Sequence, residues 1–261
     1  NDTGVQFAKK GYNTMVSILD KQSTIIIPNN LDVFVVDTET RELKSKIARE
    51  KLRNILKRLN INKNDMIYKK VDSTLRGNVG DEIEEIMNIL KKDICVFSPS
   101  YPSYQRITVR GHLIVDQKPL ELSEYSCYNS TQIENFSIPF LLKKQTDFPV
   151  AQIDLKDVAK GQKAILLKIN ELYQKGNKII VIDSTNEEHL KDIFASGLKF
   201  DGQVLFSGSA GLANNFPNIY NKNEDLKINI ENSKSPVIVV AGSRNSIMED
   251  QINYLKNRLN F

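Results

Sequence analysis

The sequence contains no tryptophan, two cysteines, and no continuous apolar run of about eighteen residues, the length that a membrane-spanning helix needs. Cys95 and Cys127 belong to no CxxC pair and no metal-ligand spacing, and no signal-peptide pattern opens the chain. These absences predict a cytoplasmic protein with no membrane partner and no cysteine-bound metal.

Three signatures of nucleotide or nucleophile sites are also missing. The chain has no GxxxxGK[ST] loop, no GxGxxG after a predicted strand and no GxSxG turn. A P-loop, a dinucleotide-binding glycine fingerprint and a hydrolase nucleophile elbow are therefore not supported. The formal net charge of +4 is mild and the lysines are scattered over predicted helix faces, so we expect no nucleic-acid partner.

The most informative segment runs from Lys69 to Glu82 and reads KKVDSTLRGNVGDE. It lies between a predicted strand at 66–68 and a predicted amphipathic helix at 79–90. A turn from strand to helix needs only a glycine or a capping residue, whereas this one also holds an acid, two hydroxyls and an arginine. Because ligands bind beyond the carboxyl ends of strands in a parallel α/β sheet, this segment is the candidate site. The competing interpretation is a tight turn with a surface arginine.

Each residue type in this segment has a chemical use. Asp72 can accept hydrogen bonds from sugar hydroxyls, and the planar guanidinium of Arg76 fits a carboxylate or phosphate through two points. Gly77 and Gly80 allow the backbone to come close to a ligand. The N–H groups at the start of the following helix favour an anion. The pattern predicts a site for a small hydroxylated anion.

Strand-like and helix-like hydrophobic patterns alternate along most of the chain. Predicted strands are 14–18, 33–36, 66–68, 94–97, 178–182 and 204–206, and predicted helices are 1–10, 43–59, 79–90, 158–173, 187–194 and 210–216. This alternation predicts an α/β fold with a mainly parallel sheet and helices on both faces. A hairpin is predicted around Arg110-Gly111 in the Ser-, Pro- and Tyr-rich middle of the chain.

A change of pattern near Pro217 predicts a domain boundary. Residues 1–217 are predicted to form the first domain, and residues 218–235, rich in Asn, Lys and Glu, a linker. Residues 236–261 are predicted to begin a second α/β domain. Because one strand and one helix cannot close a core, we expect this domain to be truncated, and we expect a strand before Asn1.

Other predicted strands end near the same rim. The strand at 33–36 leads to Arg41, which with Arg76 could neutralise a carboxylate, while Asp2 could bind hydroxyls beside Asp72. Arg41 taken alone is explained as well by a surface position at the start of a helix. The rim therefore suits a small polyhydroxylated anion.

Small residues follow two further strands. At Gly208 and Ser209, backbone N–H groups could reach a phosphate, although close packing of a helix on the sheet explains these residues equally well. Gly242 and Ser243 repeat the arrangement in the predicted second domain. The segment 183–186, DSTN, is interpreted as a helix cap with Ser184 or Thr185 at the cap position.

Several of these pieces together match a known pattern. The chain resembles the four-carbon acid sugar kinase family, which contains ATP-dependent D-threonate, D-erythronate and 3-oxo-tetronate kinases. The matching pieces, in order, are Asn1-Asp2-Thr3-Gly4, Asp37-Thr38 with Thr40-Arg41, Lys70 to Asn78, Pro99, Pro102, Arg106, Gly111-His112, Gly208 to Ala213, and Gly242-Ser243. The resemblance spans nearly the whole chain, and its DSTLRGN piece is highly specific.

The resemblance implies a transferase that uses ATP, with an N-terminal acid-sugar-binding domain at 1–217 and a truncated nucleotide-binding domain at 236–261. Phosphoryl transfer usually also needs Mg²⁺. The implied substrate-binding residues are Arg41, Asp72, Ser73, Thr74, Leu75, Arg76 and Gly77. The implied catalytic residues, which orient or deprotonate the accepting hydroxyl, are Asp72 and Asp2, and the implied cofactor-binding residues are Gly208, Ser209, Gly242 and Ser243. The alternative is a non-catalytic acid-sugar or phosphate binding module, and either form could be a homo-oligomer.

Overall fold

Strands and helices alternate in the structure much as the sequence predicts. The computed structural model describes residues 2–19, 25, 27–123, 137–216 and 246–259. The strands are β1 (Thr14–Ile18), β2 (Val33–Asp37), β3 (Ile67–Lys70), β4 (Ile94–Ser98), β5 (Arg106–Val109), β6 (His112–Val115), β7 (Lys118–Pro119), β8 (Val150–Ile153), β9 (Ile179–Ile182) and β10 (Val204–Gly208). The helices are α1 (Asp2–Ala8), α2 (Ser45–Arg58), α3 (Val79–Leu90), α4 (Ile138–Lys143), α5 (Leu155–Val158), α6 (Gln162–Gln174), α7 (Glu187–Leu198), α8 (Ala210–Asn214) and α9 (Ser246–Leu259).

Five parallel strands form the central sheet, in the order β3-β10-β4-β9-β8. Strands β1 and β2 pair in parallel as a separate sheet, and β5, β6 and β7 form an antiparallel sheet that includes the predicted hairpin. The predicted α/β fold with a mainly parallel sheet is confirmed. Because the strands of the central sheet point the same way, their carboxyl ends meet at one edge.

Apolar residues cover both faces of the central sheet. On β4, Cys95 and Phe97 pack in one core cluster together with Ile83 of α3. The alternate residues of the strand, Ile94 and Val96, pack in a second cluster with α6 and α7. Cys95 is fully buried, as predicted, and burial raises the pKa of its thiol. The two-sided burial explains why β4 is apolar throughout instead of alternating with polar residues.

Helix α1 carries Asp2, which lies near the carboxyl ends of β2 and β3. Its Phe7 packs edge-on against Phe216 at a ring-centroid distance of 5.1 Å, and Tyr12 packs against the same ring at 5.7 Å. Gly4 lets the helix lie close to the sheet, since a Cβ there would be 3.3 Å from a methyl group of Val35. Aromatic packing thus fixes the helix that carries one predicted site residue.

Three local predictions differ from the structure. The predicted helix at 158–173 begins later, at Gln162 of α6, and Val158 ends the separate helix α5, because the chain turns at Gly161 with φ of 85°, a conformation that favours glycine. Strand β8 was not predicted, and it forms the edge of the central sheet beside β9. The cap of α7 lies later than predicted: it is Asn186, whose side chain accepts a hydrogen bond from the N–H of His189 at 2.9 Å.

The chain divides into two compact units, Asn1–Asp225 and Leu226–Phe261. The first holds all three sheets, and in the second the described residues are those of α9. The predicted linker, most of the predicted second domain, Gly242, Ser243 and Cys127 lie outside the described residues. The domain boundaries therefore stay a prediction. In the part of the chain that the structure describes, no helix combines the length and hydrophobicity needed to cross a membrane.

Candidate functional site

A cleft of about 490 Å³ opens at the carboxyl ends of β2 and β3. Its walls are residues 37–42, which follow β2, and residues 69–72 and 76–79, while α1 and α3 contribute Asp2 and Glu82. Five of the predicted site residues line it: Asp2, Arg41, Asp72, Arg76 and Gly77. The structure therefore brings together predicted acids and arginines that lie up to 74 positions apart along the chain, from Asp2 to Arg76.

Residues 72–77, here called the Asp72 loop, owe their shape to a buried leucine and a glycine. Leu75 has φ of 61° and is 3% exposed, and Gly77 has φ of 93°. A positive φ is strained for leucine, and burial of its side chain in the core holds it there. Thr74 is also buried. Thr74 and Leu75 thus shape the loop, whereas Asp72, Arg76 and Gly77 line the cleft.

Asp72 and Arg76 form a two-point ion pair. Nε of Arg76 donates to Oδ2 of Asp72 at 2.8 Å, and Nη2 donates to Oδ1 at 3.0 Å. The N–H of Thr74 donates to Oδ2 at 3.2 Å, and the Thr74 hydroxyl donates to the same oxygen. The side chain of Asp72 is 13% exposed and that of Arg76 is 33% exposed. The pair is preformed, and its guanidinium can be reached from solvent.

These contacts keep the carboxyl group of Asp72 ionised. Burial acts to raise its pKa, but hydrogen bonds from Arg76 and Thr74 and the charges of Arg76 and Lys70 outweigh burial, so the pKa lies well below its ordinary value. A carboxylate with so low a pKa is a poor proton acceptor near neutral pH. The geometry favours orienting a substrate hydroxyl over deprotonating it.

Arg41 approaches the same carboxylate from the loop after β2. Its Nη1 lies 3.6 Å from Oδ1 of Asp72, its Nε lies 3.4 Å from Glu42, and its side chain is 51% exposed. The loop after β2 and the Asp72 loop are in close contact, since a Cβ on Gly77 would be 3.3 Å from the Cα of Arg41. Helix α2 begins only at Ser45, so Arg41 is a loop residue of the cleft and not the start of a helix.

Asn78 links the loop after β2 to the Asp72 loop through hydrogen bonds. Its Nδ2 donates to the carbonyl of Thr40 at 3.1 Å and to the carbonyl of Leu43 at 2.8 Å. Nε2 of Gln145 donates to the carbonyl of Gly77 at 3.1 Å and so holds the far end of the Asp72 loop. These bonds position the cleft before any ligand binds, which lowers the entropic cost of binding.

Replacing Asn78 with alanine is expected to lower the free energy of unfolding by about 1–3 kcal/mol, because two backbone carbonyls lose their donor. Urea unfolding measures the loss. The matched control is Asn177→Ala, which removes one bond, at 3.0 Å, to the carbonyl of Leu172 in a turn outside the cleft. Equal losses in the two variants would contradict a special role for Asn78.

A second ion pair joins β3 to α3 beside the cleft. Nζ of Lys69 lies 2.5 Å from Oε2 of Glu82, and it donates to the carbonyl of Lys70 at 2.9 Å. The two side chains are 19% and 6% exposed, respectively. The charge of Lys69 is thus neutralised by Glu82 in the wall of the cleft. The next side chain, that of Lys70, is 37% exposed, and its Nζ lies 3.4 Å from Oδ1 of Asp2.

The antiparallel sheet is held in place by a buried carboxylate that the sequence analysis assigned to a helix cap. Oδ2 of Asp183 accepts the N–H of Arg110 at 2.6 Å, and Oδ1 accepts the N–H of Gly111 at 2.9 Å. These are the turn residues between β5 and β6. At the start of β5, Nη1 of Arg106 donates to the hydroxyl of Ser73 in the Asp72 loop. The hairpin therefore connects the end of β9 to the cleft.

The contribution of Asp183 to stability should depend on pH. Burial raises its pKa to about 6, and the charge of Asp154 acts in the same direction, against the two N–H bonds. Because this pKa lies above the ordinary value of 3.8, the folded state binds the proton more tightly than the unfolded chain. The stabilisation is fully present below about pH 4 and is lost as the pH rises through about 6.

We therefore expect the difference in unfolding free energy between wild type and Asp183→Asn to fall by about 2 kcal/mol from pH 4 to pH 7. Urea unfolding of both proteins at four pH values across this range measures the difference. The control is Asp116→Asn, which removes a carboxylate from an exposed turn. Parallel curves for Asp183→Asn and wild type would contradict the prediction.

Gly208 and Ser209 do not line the cleft. A Cβ on Gly208 would lie 2.3 Å from a backbone carbonyl oxygen of β4. Ser209 is 1% exposed, and its hydroxyl donates to the carbonyl of Ser100 at 2.8 Å and accepts the N–H two residues further on. Close packing, one of the two explanations left open by the sequence, accounts for both residues. Cofactor contacts stay predictions there, as they do at Gly242 and Ser243.

Some supporting residues were missed by the sequence analysis. Asn78 stands in the DSTLRGN piece, yet nothing local shows that its amide reaches a carbonyl 35 positions away. Gln145 lies in a segment with no site signal, and its partner is 68 positions away. Asp183 directly follows a predicted strand but was assigned to a helix cap, and its partner Gly111 is 72 positions away.

Comparison with known proteins assigns this chain to a family. A family model described as a sugar-binding N-terminal domain matches residues 1–216. Curated relatives include D-threonate kinase of Salmonella typhimurium, 31% identical over 254 residues, and D-erythronate kinase of Heliobacterium modesticaldum, 29% identical over 212 residues. The alignments cover 97% and 81% of this chain and 57% and 48% of those proteins. The chain spans about half the length of the curated relatives it matches.

Solved structures share the fold. A Haemophilus influenzae protein superposes with a TM-score of 0.72 at 22% identity, over 82% of this chain and 52% of that one. A domain of unknown function from Bordetella bronchiseptica, a domain-swapped dimer with bound citrate, superposes with a TM-score of 0.66 at 25% identity, over 82% and 52%. Fold and cleft define an α/β protein with acids and arginines gathered in a cleft at the carboxyl ends of its strands. The chain belongs to the sugar-binding N-terminal domain family, that of the four-carbon acid sugar kinases.

Proposed function

We propose that this chain supplies the acid-binding part of an ATP-dependent kinase that phosphorylates threonate, erythronate or 3-oxo-tetronate. The convergence of Arg41 and Arg76 on the Asp72 carboxylate, inside a cleft of about 490 Å³, carries the proposal. That volume is in the range of small-molecule sites. The kinase names of the relatives support it, and so does the citrate of the Bordetella protein, a small hydroxylated polycarboxylate.

The residues of the cleft have distinct proposed roles. Arg41 and Arg76 hold the substrate carboxylate, because both guanidinium groups are partly exposed and planar. Asp72 accepts a hydrogen bond from a substrate hydroxyl and so orients it. Asp2, whose carboxylate is 60% exposed, takes the proton of the accepting hydroxyl. Ser73 and Gly77 bring the backbone of the Asp72 loop near the ligand.

Bound ATP would supply the phosphoryl group, with Mg²⁺ neutralising its phosphates. The described residues hold no group of three or more metal-ligating side chains. This fits Mg²⁺, which proteins usually bind through one or two carboxylates together with phosphates and waters. The exposed carboxylate of Asp37 in the cleft is of that kind. Gly208, Ser209, Gly242 and Ser243 are proposed to contact the nucleotide.

The second candidate is a non-catalytic module that binds an acid sugar or phosphate. One observation favours it: every residue that lines the cleft lies between Asp2 and Glu82, so acid binding needs only the first unit of the chain. Either candidate could be a homo-oligomer, as the domain-swapped dimer of the Bordetella protein suggests.

A panel of four-carbon acids with ATP and Mg²⁺ tests the proposal. The intact protein is incubated with each acid, and ADP release is followed. We expect release with at least one of D-threonate, D-erythronate and 3-oxo-tetronate. Thermal stabilisation by an acid without any ADP release would instead support the binding module.

A further inference from the structure

Two of the four cations that line the cleft make contacts of 3.0 Å or less with carboxylates of its walls. Lys69 is paired with Glu82 at 2.5 Å, and Arg76 makes two hydrogen bonds to Asp72. The other two, Arg41 and Lys70, have more exposed side chains, at 51% and 37%. No role was predicted for Lys70, although it is the last residue of β3 and lies two positions before Asp72.

The surroundings of Lys70 are those of an anion site with an exchangeable counter-ion. Its Nζ lies 3.4 Å from Oδ1 of Asp2, and that carboxylate is 60% exposed. Its charge also helps to lower the pKa of Asp72. An ion pair this exposed contributes little to stability, so a bound oxyanion can replace Asp2 at low cost. The side chains of the pair between Lys69 and Glu82, in contrast, are only 19% and 6% exposed.

We propose that Lys70 is a further catalytic residue, whose ammonium takes an oxyanion of the bound ligand in exchange for the carboxylate of Asp2. The proposal rests on the proposed kinase function and deepens it. Once released from Lys70, Asp2 accepts the proton of the substrate hydroxyl. The hydroxyl oxygen then forms a bond to the γ-phosphorus of the nucleoside triphosphate. The bond from that phosphorus to the leaving diphosphate breaks, and the diphosphate keeps the electron pair.

Two oxyanions have the required chemistry, the substrate carboxylate and the phosphoryl group in transfer. Both carry negative charge on oxygen that an ammonium neutralises at short range. They differ in when they are present. The carboxylate is already there when the acid binds without nucleotide, whereas the phosphoryl group acts only during turnover. Binding and turnover measured separately therefore distinguish the two.

The test compares Lys70→Met and Lys70→Arg with wild type in the intact protein. The control is Lys175→Met, which removes an exposed ion pair, at 2.7 Å to Glu171, on a helix that does not line the cleft. The most active acid of the panel serves as substrate. Isothermal calorimetry without nucleotide gives its Kd, and ADP release gives kcat and KM.

We expect Lys70→Met to lower kcat/KM by about 100-fold or more, Lys70→Arg to recover at least a tenth of the wild-type value, and Lys175→Met to change nothing. A matching rise in Kd identifies the carboxylate as the oxyanion. An unchanged Kd with a fall in kcat identifies the phosphoryl group. A Lys70→Met protein whose kcat/KM stays within threefold of wild type overturns the proposal, as does an equal loss in Lys70→Arg and Lys70→Met.

Failure of the kinase proposal is recognised separately. If wild type binds D-threonate or D-erythronate but releases no ADP with any acid, the kinase function is wrong, and so is the catalytic role of Lys70. The calorimetric comparison then decides whether Lys70 contacts the carboxylate at all. Melting curves of the four proteins show whether any loss arises from unfolding, and we expect them to coincide because Lys70 is outside the core.

Discussion

Replacing Arg76 with alanine is expected to weaken acid binding by about 30-fold or more while the fold survives. The variant loses the guanidinium that faces the ligand and also the two hydrogen bonds that hold Asp72, at 2.8 and 3.0 Å. The Asp72 carboxylate, 13% exposed, would then repel the ligand carboxylate, with Arg41 at 3.6 Å as its remaining guanidinium partner. The side chain of Arg76 lies outside the apolar core, so the fold should survive, but the melting temperature should fall because the largely buried Asp72 carboxylate loses two hydrogen bonds.

Calorimetry with D-threonate and D-erythronate and a melting curve together check this prediction. Arg110→Ala is the control, since that side chain is exposed in the hairpin turn away from the cleft. Arg76→Lys separates charge from geometry: it keeps a cation but cannot make two parallel bonds to Asp72. Unchanged affinity together with an unchanged melting curve in Arg76→Ala would remove the basis of the proposed site.

Replacing Gly208 with alanine is expected to lower the free energy of unfolding by about 1–3 kcal/mol or more. The added Cβ would lie 2.3 Å from a backbone carbonyl oxygen of β4 and 3.0 Å from the side chain of Leu212. That carbonyl belongs to Ser98 at the end of β4, which is paired with Gly208 on the neighbouring strand, so β4 and β10 must move apart there to make room. The loss would be structural and independent of nucleotide.

Urea unfolding measures this loss, and Gly4→Ala is the matched control. A Cβ on Gly4 would meet only side-chain methyl groups, at 3.3 to 3.8 Å, so its effect should stay below about 1 kcal/mol. If Gly208→Ala unfolds like wild type but raises the KM for ATP, the packing explanation is wrong. The cofactor contact predicted from the sequence would then be supported.

The sequence predicted the fold class and the position of the cleft because both depend on local periodicity and on strand ends. Period-two and period-3.6 patterns predicted most strands and helices, and polar residues after β2 and β3 predicted the rim. The short edge strand β8 and the break at Gly161 were not predicted. The hydrophobic pattern of the sequence does not mark either of them. Strand β8 is recognised only by its pairing with β9, and the break only by the positive φ of Gly161.

The amino-acid sequence by itself determined an α/β sheet, a loop that joins an acid to an arginine, and the family resemblance that these residues carry. The tertiary structure alone decided that Arg76 is bonded to Asp72, that Lys70 faces Asp2, and that Gly208 is packed against β4. The physical reason is that a residue's type sets its possible partners, whereas its charge state, exposure and role depend on which distant groups folding brings within a few ångströms.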